Sequence, residues 1–301
     1  MRDRLRVSVP SDDWIDSLRD LGDRVELTTW DFATTQPSGH LDLAVLPYTV
    51  SSNLLRGLDP TRLGVVQSQA LGYDGVRDVL PVGITYCNAV GVHEESTAEL
   101  AVALLLSSAR NLDMYARERG EWNRRWGTSL ADRRVLVMGV GGIGAEIAKR
   151  LDGFGAELVR IASHARTDDR GQVHGPDDLS ALLPTADAVI IAVPLSDETA
   201  GLVDDDFLTS LADDAIVVNV SRGRVADTDA VVRQAGRIRY ATDVTHPEPL
   251  PADHPLWTVP GVLISPHVGG MSTAMRPRIE RVVRKQIGRL LAGEGPDSVV
   301  F

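Results

Sequence analysis

Three residues that can bind anions or move protons follow strand-like apolar runs. They are Arg222 in "VVNVSRGRVADTDA" (217–230), Glu248 in "ATDVTHPEPLPADHPLW" (241–257) and His267 in "VLISPHVGG" (262–270). Parallel sheets place binding sites just beyond the carboxyl ends of their strands. An arginine there can hold a carboxylate through two parallel hydrogen bonds. Taken singly, the three residues are equally typical of a surface arginine, an exposed proline-rich turn and a turn histidine bonded to backbone.

A glycine-rich turn precedes all three. The stretch "MGVGGIGAEIAKR" (138–150) follows an apolar run, has the spacing Gly139-x-Gly141-x-x-Gly144 and continues into a helical pattern. In this strand–turn–helix context the glycines let the backbone approach a pyrophosphate, which the helix N-terminus attracts. The pattern predicts dinucleotide binding. A structural turn and an S-adenosylmethionine-type site are the alternatives.

The next strand-like run ends without the acidic residue that would hold a free ribose 2′-hydroxyl. The sequence "LVRIASHART" (158–167) offers Ser163, His164 and Arg166 instead. A hydroxyl, an imidazole and a guanidinium suit a 2′-phosphate, which favours NADP over NAD. A polar surface loop remains an alternative, as does a shifted register in which Asp168 or Asp169 supplies the acid and NAD is the cofactor.

The elements that must position these residues alternate between short apolar runs and helical patterns, which predicts βαβ units and parallel sheets. The strand-like runs are residues 5–9, 25–27, 41–46, 63–66, 83–86, 135–140, 158–162, 188–193, 215–220, 240–244 and 262–265. Their near-continuous Val, Ile and Leu content is typical of strands covered on both faces.

Two α/β units of unequal size are predicted, joined by a helix from about Ser96 to Arg110. Ser96 and Thr97 offer N-cap chemistry, and Glu99 can complete a capping box with Ser96. Most faces of this helix are apolar, so we expect it to be buried. A final helix, about Thr273 to Leu291, would return the chain to the first unit.

Composition limits the functions that remain open. The 301 residues carry a formal net charge of −11, which argues against nucleic acid as a main partner. The single cysteine, Cys87, leaves no intrachain disulfide and no multi-cysteine metal site, and it is more typical of a buried residue than of a nucleophile. The N-terminus lacks an apolar signal-peptide core, and residues 100–109 are too few to span a bilayer. We expect a cytoplasmic protein without a metal.

Taken together, these motifs resemble the D-isomer-specific 2-hydroxyacid dehydrogenase family, in its glyoxylate/hydroxypyruvate reductase-like form. The matching pieces are "GVGGIG" (139–144), "VPLSDETAGLV" (193–203), "NVSRGRVAD" (219–227), "DVTHPEPLP" (243–251) and "ISPHVGG" (264–270), with "ALGYDGV" (70–76) and "STAELAVALLLSSAR" (96–110) as weaker ones. Thr245, Ser196 and Ala226 stand where family members often have Phe, Thr and Val. These departures leave the identity of the substrate open.

The resemblance implies two Rossmann-like or flavodoxin-like α/β domains with parallel sheets and a deep interdomain cleft. Residues 1–98 with 270–301 would form the substrate domain, and residues 99–269 the NAD(P)-binding domain. The implied catalytic residues are Arg222, Glu248 and His267. The implied cofactor-binding residues are Gly139, Gly141, Gly142, Ile143, Gly144, Ser163, His164, Arg166, Val193, Pro194, Thr199, Val220, Ser221, Asp243 and Gly269, with Asp243 on the nicotinamide carboxamide. The implied substrate-binding residues are Leu71, Gly72 and Arg222. Tyr48 and His93 follow strand-like runs of the first unit and are further substrate-binding candidates, although a structural role is favoured for each.

The expected reaction is hydride transfer between a nicotinamide and C2 of a small 2-keto or 2-hydroxy acid. His267 would donate the proton to the carbonyl oxygen during reduction, Glu248 would stabilise the charged imidazole, and Arg222 would hold the substrate. A homodimer is expected from the resemblance. The alternatives are a dinucleotide-sensing, corepressor-like binding protein and a dehydrogenase of an unusual substrate such as phosphite. A formate dehydrogenase is disfavoured, because formate dehydrogenases have a different residue at the position that Glu248 matches.

Overall fold

The computed structural model describes residues 4–118 and 120–301. The chain forms two compact units. Unit 1 comprises the residues up to His93 together with Thr273–Phe301, and unit 2 comprises Glu94–Ser272. The sequence predicts these two divisions at 98/99 and 269/270 instead.

The elements are numbered in chain order within the described residues. The helices are α1 (Asp12–Leu18), α2 (Glu94–Ala109), α3 (Leu112–Arg117), α4 (Gly142–Leu151), α5 (Leu179–Leu182), α6 (Asp205–Ser210), α7 (Thr228–Arg233) and α8 (Met275–Leu291). The strands are β1 (Leu5–Val9), β2 (Val25–Thr29), β3 (Leu41–Val45), β4 (Leu63–Gln67), β5 (Thr85–Cys87), β6 (Arg134–Met138), β7 (Glu157–Ile161), β8 (Arg166–Asp168), β9 (Gly171–His174), β10 (Ala188–Ile191), β11 (Ile216–Asn219), β12 (Arg239–Thr242) and β13 (Val262–Ile264).

Unit 1 is built on a parallel sheet with the strand order β2-β1-β3-β4-β5. Val7 and Leu43 pack with Val283 of α8 in one buried apolar cluster. Leu41 and Leu63 belong to a second cluster. The strand order changes direction between β1 and β3, and ligands bind at such points in open parallel sheets.

Unit 2 is built on a larger sheet with the order β13-β12-β11-β10-β6-β7-β9-β8. All neighbouring strands are parallel except β8 and β9, which form an antiparallel hairpin. Strands β10 and β11 are buried along their whole length, as expected for strands covered on both faces. The strand order reverses between β6 and β10, so the carboxyl ends of these two strands mark the ligand-binding crevice of this fold type.

The predicted α/β class is confirmed, and every predicted strand-like run overlaps a strand. The hairpin of β8 and β9 is not predicted by the sequence. Its first strand is the polar stretch Arg166–Asp168, exposed along its length, so it carries no apolar alternation from which a strand could be read.

The predicted start of helix α2 is wrong. The helix begins at Glu94, so Ser96 and Thr97 lie in its first turn rather than at its cap. Glu94 and Glu95 favour this earlier start because acidic side chains stabilise the positive end of the helix dipole. Ala101 and Leu105 are fully buried, as the apolar pattern predicts. No helix in residues 4–118 or 120–301 is long and apolar enough to cross a membrane.

Candidate active site

The glycine turn lies between β6 and α4 and has no room for side chains at two positions. Gly139 adopts a φ of 99°, and a Cβ there would collide with the carbonyl of Ala192, at the end of β10. A Cβ at Gly144 would collide with the Gly139 carbonyl. This close packing brings the N-terminus of α4 to the point where the strand order reverses, and the cradle fits the phosphates of a dinucleotide.

Glu94 borders this cradle and was not singled out from the sequence. A Cβ built on Gly142 would lie 2.7 Å from Glu94 Cγ, and Glu94 is itself buried. The first residue of α2 therefore lies over the first residue of α4. A tertiary contact of this kind leaves no local sequence signal.

The candidate 2′-phosphate residues follow β7, beside the glycine turn on the same sheet. Ser163 Oγ lies 3.0 Å from His164 Nδ1, and Arg166 donates to the His164 carbonyl at 3.2 Å. All three side chains are exposed. The structure thus brings a hydroxyl, an imidazole and a guanidinium together at the carboxyl end of β7.

Asp168 is engaged elsewhere. Arg160, buried in β7, donates to both carboxylate oxygens of Asp168 at 2.8 Å. These hydrogen bonds, with one from the backbone N–H of Arg170, hold the pKa of the Asp168 carboxyl below its usual value. The Asp168 carboxylate therefore fastens β8 onto β7, which disfavours its use as a ribose acid in a shifted register.

The turn between β10 and α6 carries Val193 and Pro194 close to the glycine turn, because β10 and β6 are neighbours. Thr199 Oγ1 donates to the Pro194 carbonyl at 2.6 Å and accepts from the Ser196 N–H at 2.8 Å. The Thr199 hydroxyl therefore closes its own turn.

Arg222 sits in a turn shaped by a buried amide at the end of β11. Asn219 is fully buried, and its Oδ1 accepts from the Ser221 N–H at 3.0 Å and from Ser221 Oγ at 2.8 Å. Its Nδ2 donates to the Arg222 carbonyl at 3.1 Å. The turn that contains Val220, Ser221 and Arg222 thus depends on Asn219, a residue that the sequence did not single out.

His267 and Glu248 meet beyond the ends of β13 and β12. His267 Nδ1 lies 2.6 Å from Glu248 Oε1, and both side chains are about half exposed. A carboxylate oxygen accepts hydrogen bonds, so Nδ1 carries a proton and Nε2 is the nitrogen left to exchange one. His267 has a φ of 53°, in the left-handed region that non-glycine residues seldom occupy. Such a backbone marks a position held by its surroundings.

Asp243 holds the loop that carries His267. Its buried carboxylate accepts from Ser265 Oγ at 2.6 Å, from the Val268 N–H at 2.9 Å and from the Gly269 N–H at 2.8 Å. The His267 N–H donates to the Asp243 carbonyl at 2.7 Å. A carboxylate can accept about four hydrogen bonds, so these three leave room for about one more, such as the expected carboxamide contact.

The candidate residues of unit 1 follow the carboxyl ends of β3, β4 and β5. The rings of Tyr48 and His93 stack at 5.6 Å and 18°. His93 Nε2 lies 2.6 Å from the Gln69 carbonyl, so Nε2 is the protonated nitrogen. Within residues 4–118 and 120–301, neither the Leu71 nor the Gly72 amide donates a hydrogen bond. These two amides can serve an anionic ligand.

Cysteine and metal chemistry find no support in the described residues. Cys87 is fully buried in β5, and burial raises the pKa of its thiol to about 11, which keeps it protonated at neutral pH. No group of three or more His, Cys, Asp or Glu side chains among the described residues could hold a metal ion.

A dinucleotide-type glycine cradle and a histidine–carboxylate pair on one parallel sheet define the class of an NAD(P)-dependent oxidoreductase. Residues 102–269 match the NAD-binding domain of the D-isomer-specific 2-hydroxyacid dehydrogenases. The chain belongs to this family, so it is an oxidoreductase that acts on CH–OH groups with a nicotinamide dinucleotide.

Similar proteins support the assignment to this family. The chain is 34% identical over 256 residues to a glyoxylate reductase of Korarchaeum cryptofilum, covering 79% of this chain and 76% of that protein. It is 32% identical over 257 residues to a glyoxylate reductase of Pyrococcus horikoshii, with the same coverage. An NADPH-dependent glyoxylate/hydroxypyruvate reductase of Sinorhizobium meliloti, solved with NADP and malonate, superposes with a TM-score of 0.81 at 25% identity, covering 99% of this chain and 97% of that one.

Proposed function

We propose that this protein reduces small 2-keto acids of the glyoxylate and hydroxypyruvate type, with NADPH preferred and His267 as the proton donor. The observation that carries the proposal is the 2.6 Å contact between His267 Nδ1 and Glu248 Oε1. This pair and the glycine cradle both follow the carboxyl ends of strands in one sheet. The names of the related glyoxylate reductases support the substrate class.

The proposed roles follow from what each side chain can do. His267 Nε2 gives its proton to the carbonyl oxygen of the substrate, while Glu248 holds the ring through Nδ1 and stabilises its positive charge. Arg222 binds the substrate carboxylate or keto oxygen and keeps C2 in place. When bound, the nicotinamide supplies the hydride. The amides of Leu71 and Gly72 are proposed to bind the substrate carboxylate, and Tyr48 with His93 to border its side chain.

The proposed preference for NADPH rests on the residues that follow β7. Arg166 and His164 can pair with a 2′-phosphate, and Ser163 can donate to it. One of the two nearby acids that could hold a free 2′-hydroxyl, Asp168, is bound to Arg160 through both oxygens. With Asp168 engaged in this way, the exposed Arg166 is the charged side chain beside Ser163 and His164 that can pair with an anion.

The experiment that tests the proposed function follows nicotinamide absorbance with time. NADPH and NADH are each mixed with glyoxylate, hydroxypyruvate, pyruvate, phenylpyruvate and branched 2-keto acids. Faster oxidation of NADPH with a small keto acid supports the proposal, and we expect Arg166→Ala to reduce the preference for NADPH. Preference for NADH would overturn the cofactor proposal. Tight cofactor binding without turnover of any acid would favour a dinucleotide sensor.

Asp243 gives a first prediction. An asparagine at this position has one acceptor oxygen, so its NH₂ must face at least one of the three donors that the carboxylate now serves. We expect Asp243→Asn to lower kcat about 10- to 100-fold, because a misplaced catalytic group costs about that much. Steady-state kinetics and NADPH affinity, measured by fluorescence titration, check this result.

Ser265→Ala is the matched variant, since it removes one hydrogen bond to the same carboxylate and keeps the charge. We expect a smaller loss of kcat, about threefold, with unchanged NADPH affinity. A loss of NADPH affinity in Asp243→Asn together with full activity in Ser265→Ala would show that Asp243 acts on the cofactor alone.

We also propose that the protein is a homodimer and that a second copy covers the segment around Trp122 and Trp126. These side chains are 89% and 99% exposed, and Leu112 on α3 is 52% exposed. Grouped large apolar side chains of this kind are typical of protein interfaces.

Sedimentation equilibrium tests the dimer. We expect the wild-type protein to sediment as a dimer and the double variant Trp122→Ser/Trp126→Ser to weaken association at least about tenfold, since buried tryptophans dominate such interfaces. Val82→Ser, at a residue 97% exposed in unit 1, is the control and should leave the dimer intact. A monomeric wild-type protein would contradict the proposal.

A further inference from the structure

One edge of the unit 1 sheet is covered by the segment 297–301, which runs antiparallel to β5. The Val300 N–H donates to the Tyr86 carbonyl at 2.9 Å, and the Tyr86 N–H donates to the Phe301 carbonyl at 3.1 Å. The Asn88 N–H donates to the Ser298 carbonyl at 3.1 Å. The segment therefore pairs with the carboxyl end of β5 and with the first residue beyond it, Asn88.

The same segment contacts the loop 70–76, which contains the amides proposed to bind the substrate carboxylate. The ring of Phe301 meets the ring of Tyr73 edge to face, with centroids 5.7 Å apart. The guanidinium carbon of Arg77 lies 4.4 Å from the centroid of Phe301. Phe301 thus bridges the loop and the residue that follows it.

A chain of buried amides reaches the loop from its other end. Gln286 of α8 donates through Nε2 to Gln67 Oε1 and to the Asp297 carbonyl, both at 2.8 Å. Gln67 Nε2 donates to the Asn88 carbonyl at 3.0 Å, and Asn88 Nδ2 donates to the Leu71 carbonyl at 2.9 Å. All three amide side chains are at least nine-tenths buried. Hydrogen bonds therefore connect α8 and the segment 297–301 continuously to Leu71.

We propose that the segment 297–301 and the amides of Gln286, Gln67 and Asn88 are a positioning device for the carboxylate-binding loop. Asn88 fixes the Leu71 carbonyl, and Phe301 fixes Tyr73, so the Leu71 and Gly72 amides are held between two anchors. The device sets the affinity for the substrate carboxylate and takes no part in proton transfer. This inference rests on the proposed function of the loop.

The test compares Phe301→Ala with Phe301→Tyr, and Asn88→Ala as a second variant at the other anchor. In Phe301→Ala we expect the KM for glyoxylate to rise about three- to tenfold, the range that corresponds to a lost aromatic pair. We expect kcat within about twofold of wild type, since the proton-transfer residues are untouched. Phe301→Tyr keeps the ring and should restore the wild-type KM. NADPH affinity should be unchanged throughout.

Hydrogen–deuterium exchange of the NADPH-bound protein gives a readout that needs no substrate. We expect peptides covering 70–76 to exchange faster in Phe301→Ala and in Asn88→Ala, with peptides of β6 and α4 unchanged. Unchanged exchange in both variants overturns the positioning device. Faster exchange with an unchanged KM overturns its role in substrate binding. A wild-type protein that reduces no keto acid would instead contradict the proposed function, and the exchange result would still decide whether the anchors hold the loop.

Discussion

Replacing His267 with alanine is expected to lower kcat for keto-acid reduction about 10²- to 10⁴-fold, the usual contribution of a positioned general acid. NADPH affinity should stay within about twofold, because the proposed role of the histidine is on the substrate oxygen rather than on the cofactor phosphates. Single-turnover kinetics and fluorescence titration measure the two quantities separately. Equal losses of turnover and of cofactor affinity would count against the acid role.

Glu248→Gln separates orientation from charge in the same pair. The glutamine oxygen can still accept the hydrogen bond from His267 Nδ1, but it carries no negative charge. The imidazolium that donates the proton is stabilised by the neighbouring anion, so the variant should be a poorer proton donor. We expect kcat to fall about tenfold while NADPH affinity is unchanged, because a hydrogen bond to a charged partner is worth more than one to a neutral amide. An unchanged kcat would show that Glu248 only orients the ring.

Much of the fold and the principal pair of the site can be read from the sequence because their signals are local. Buried parallel strands leave runs of Val, Ile and Leu, and the turn after β6 leaves glycines at positions where a side chain would collide. The pairing of His267 with Glu248 was expected from a resemblance that rests on similarly local motifs. These features need only a few neighbouring residues to be recognised.

The supporting contacts are not local, and the sequence did not reveal them. Asp243 and Ser265 lie 22 residues apart in the chain, and Gln286 and Gln67 lie 219 apart. Arg160 and Asp168 are closer, but their ion pair depends on a polar hairpin without strand periodicity. Such residues look like ordinary polar side chains until the fold brings them together.

Replacing Arg222 with alanine is expected to lower kcat/KM for keto acids about 10²- to 10⁴-fold, because the two charge-assisted hydrogen bonds proposed to hold the substrate would be lost. Arg222→Lys keeps the positive charge but not the planar pair of donors, so we expect an intermediate loss. Arg224→Ala is the matched control. That arginine is exposed in the same turn, and its removal should leave kcat/KM within about twofold, as for most surface substitutions.

The assignment of Arg222 to the substrate carboxylate can be separated from a structural role of the turn. Asn219 supports the turn through the Arg222 carbonyl, which any residue at position 222 would retain, so the backbone should survive the substitution. A carboxylate-bearing inhibitor such as oxamate should therefore bind Arg222→Ala more weakly, while NADPH affinity stays unchanged. The activity of Arg222→Ala toward a simple aldehyde without a carboxylate should fall much less than its activity toward glyoxylate. The activities toward the aldehyde and toward glyoxylate could instead fall equally while oxamate binds as tightly as before. In that case the guanidinium acts on the keto oxygen or on the turn itself, and the proposal that Arg222 binds the carboxylate is wrong.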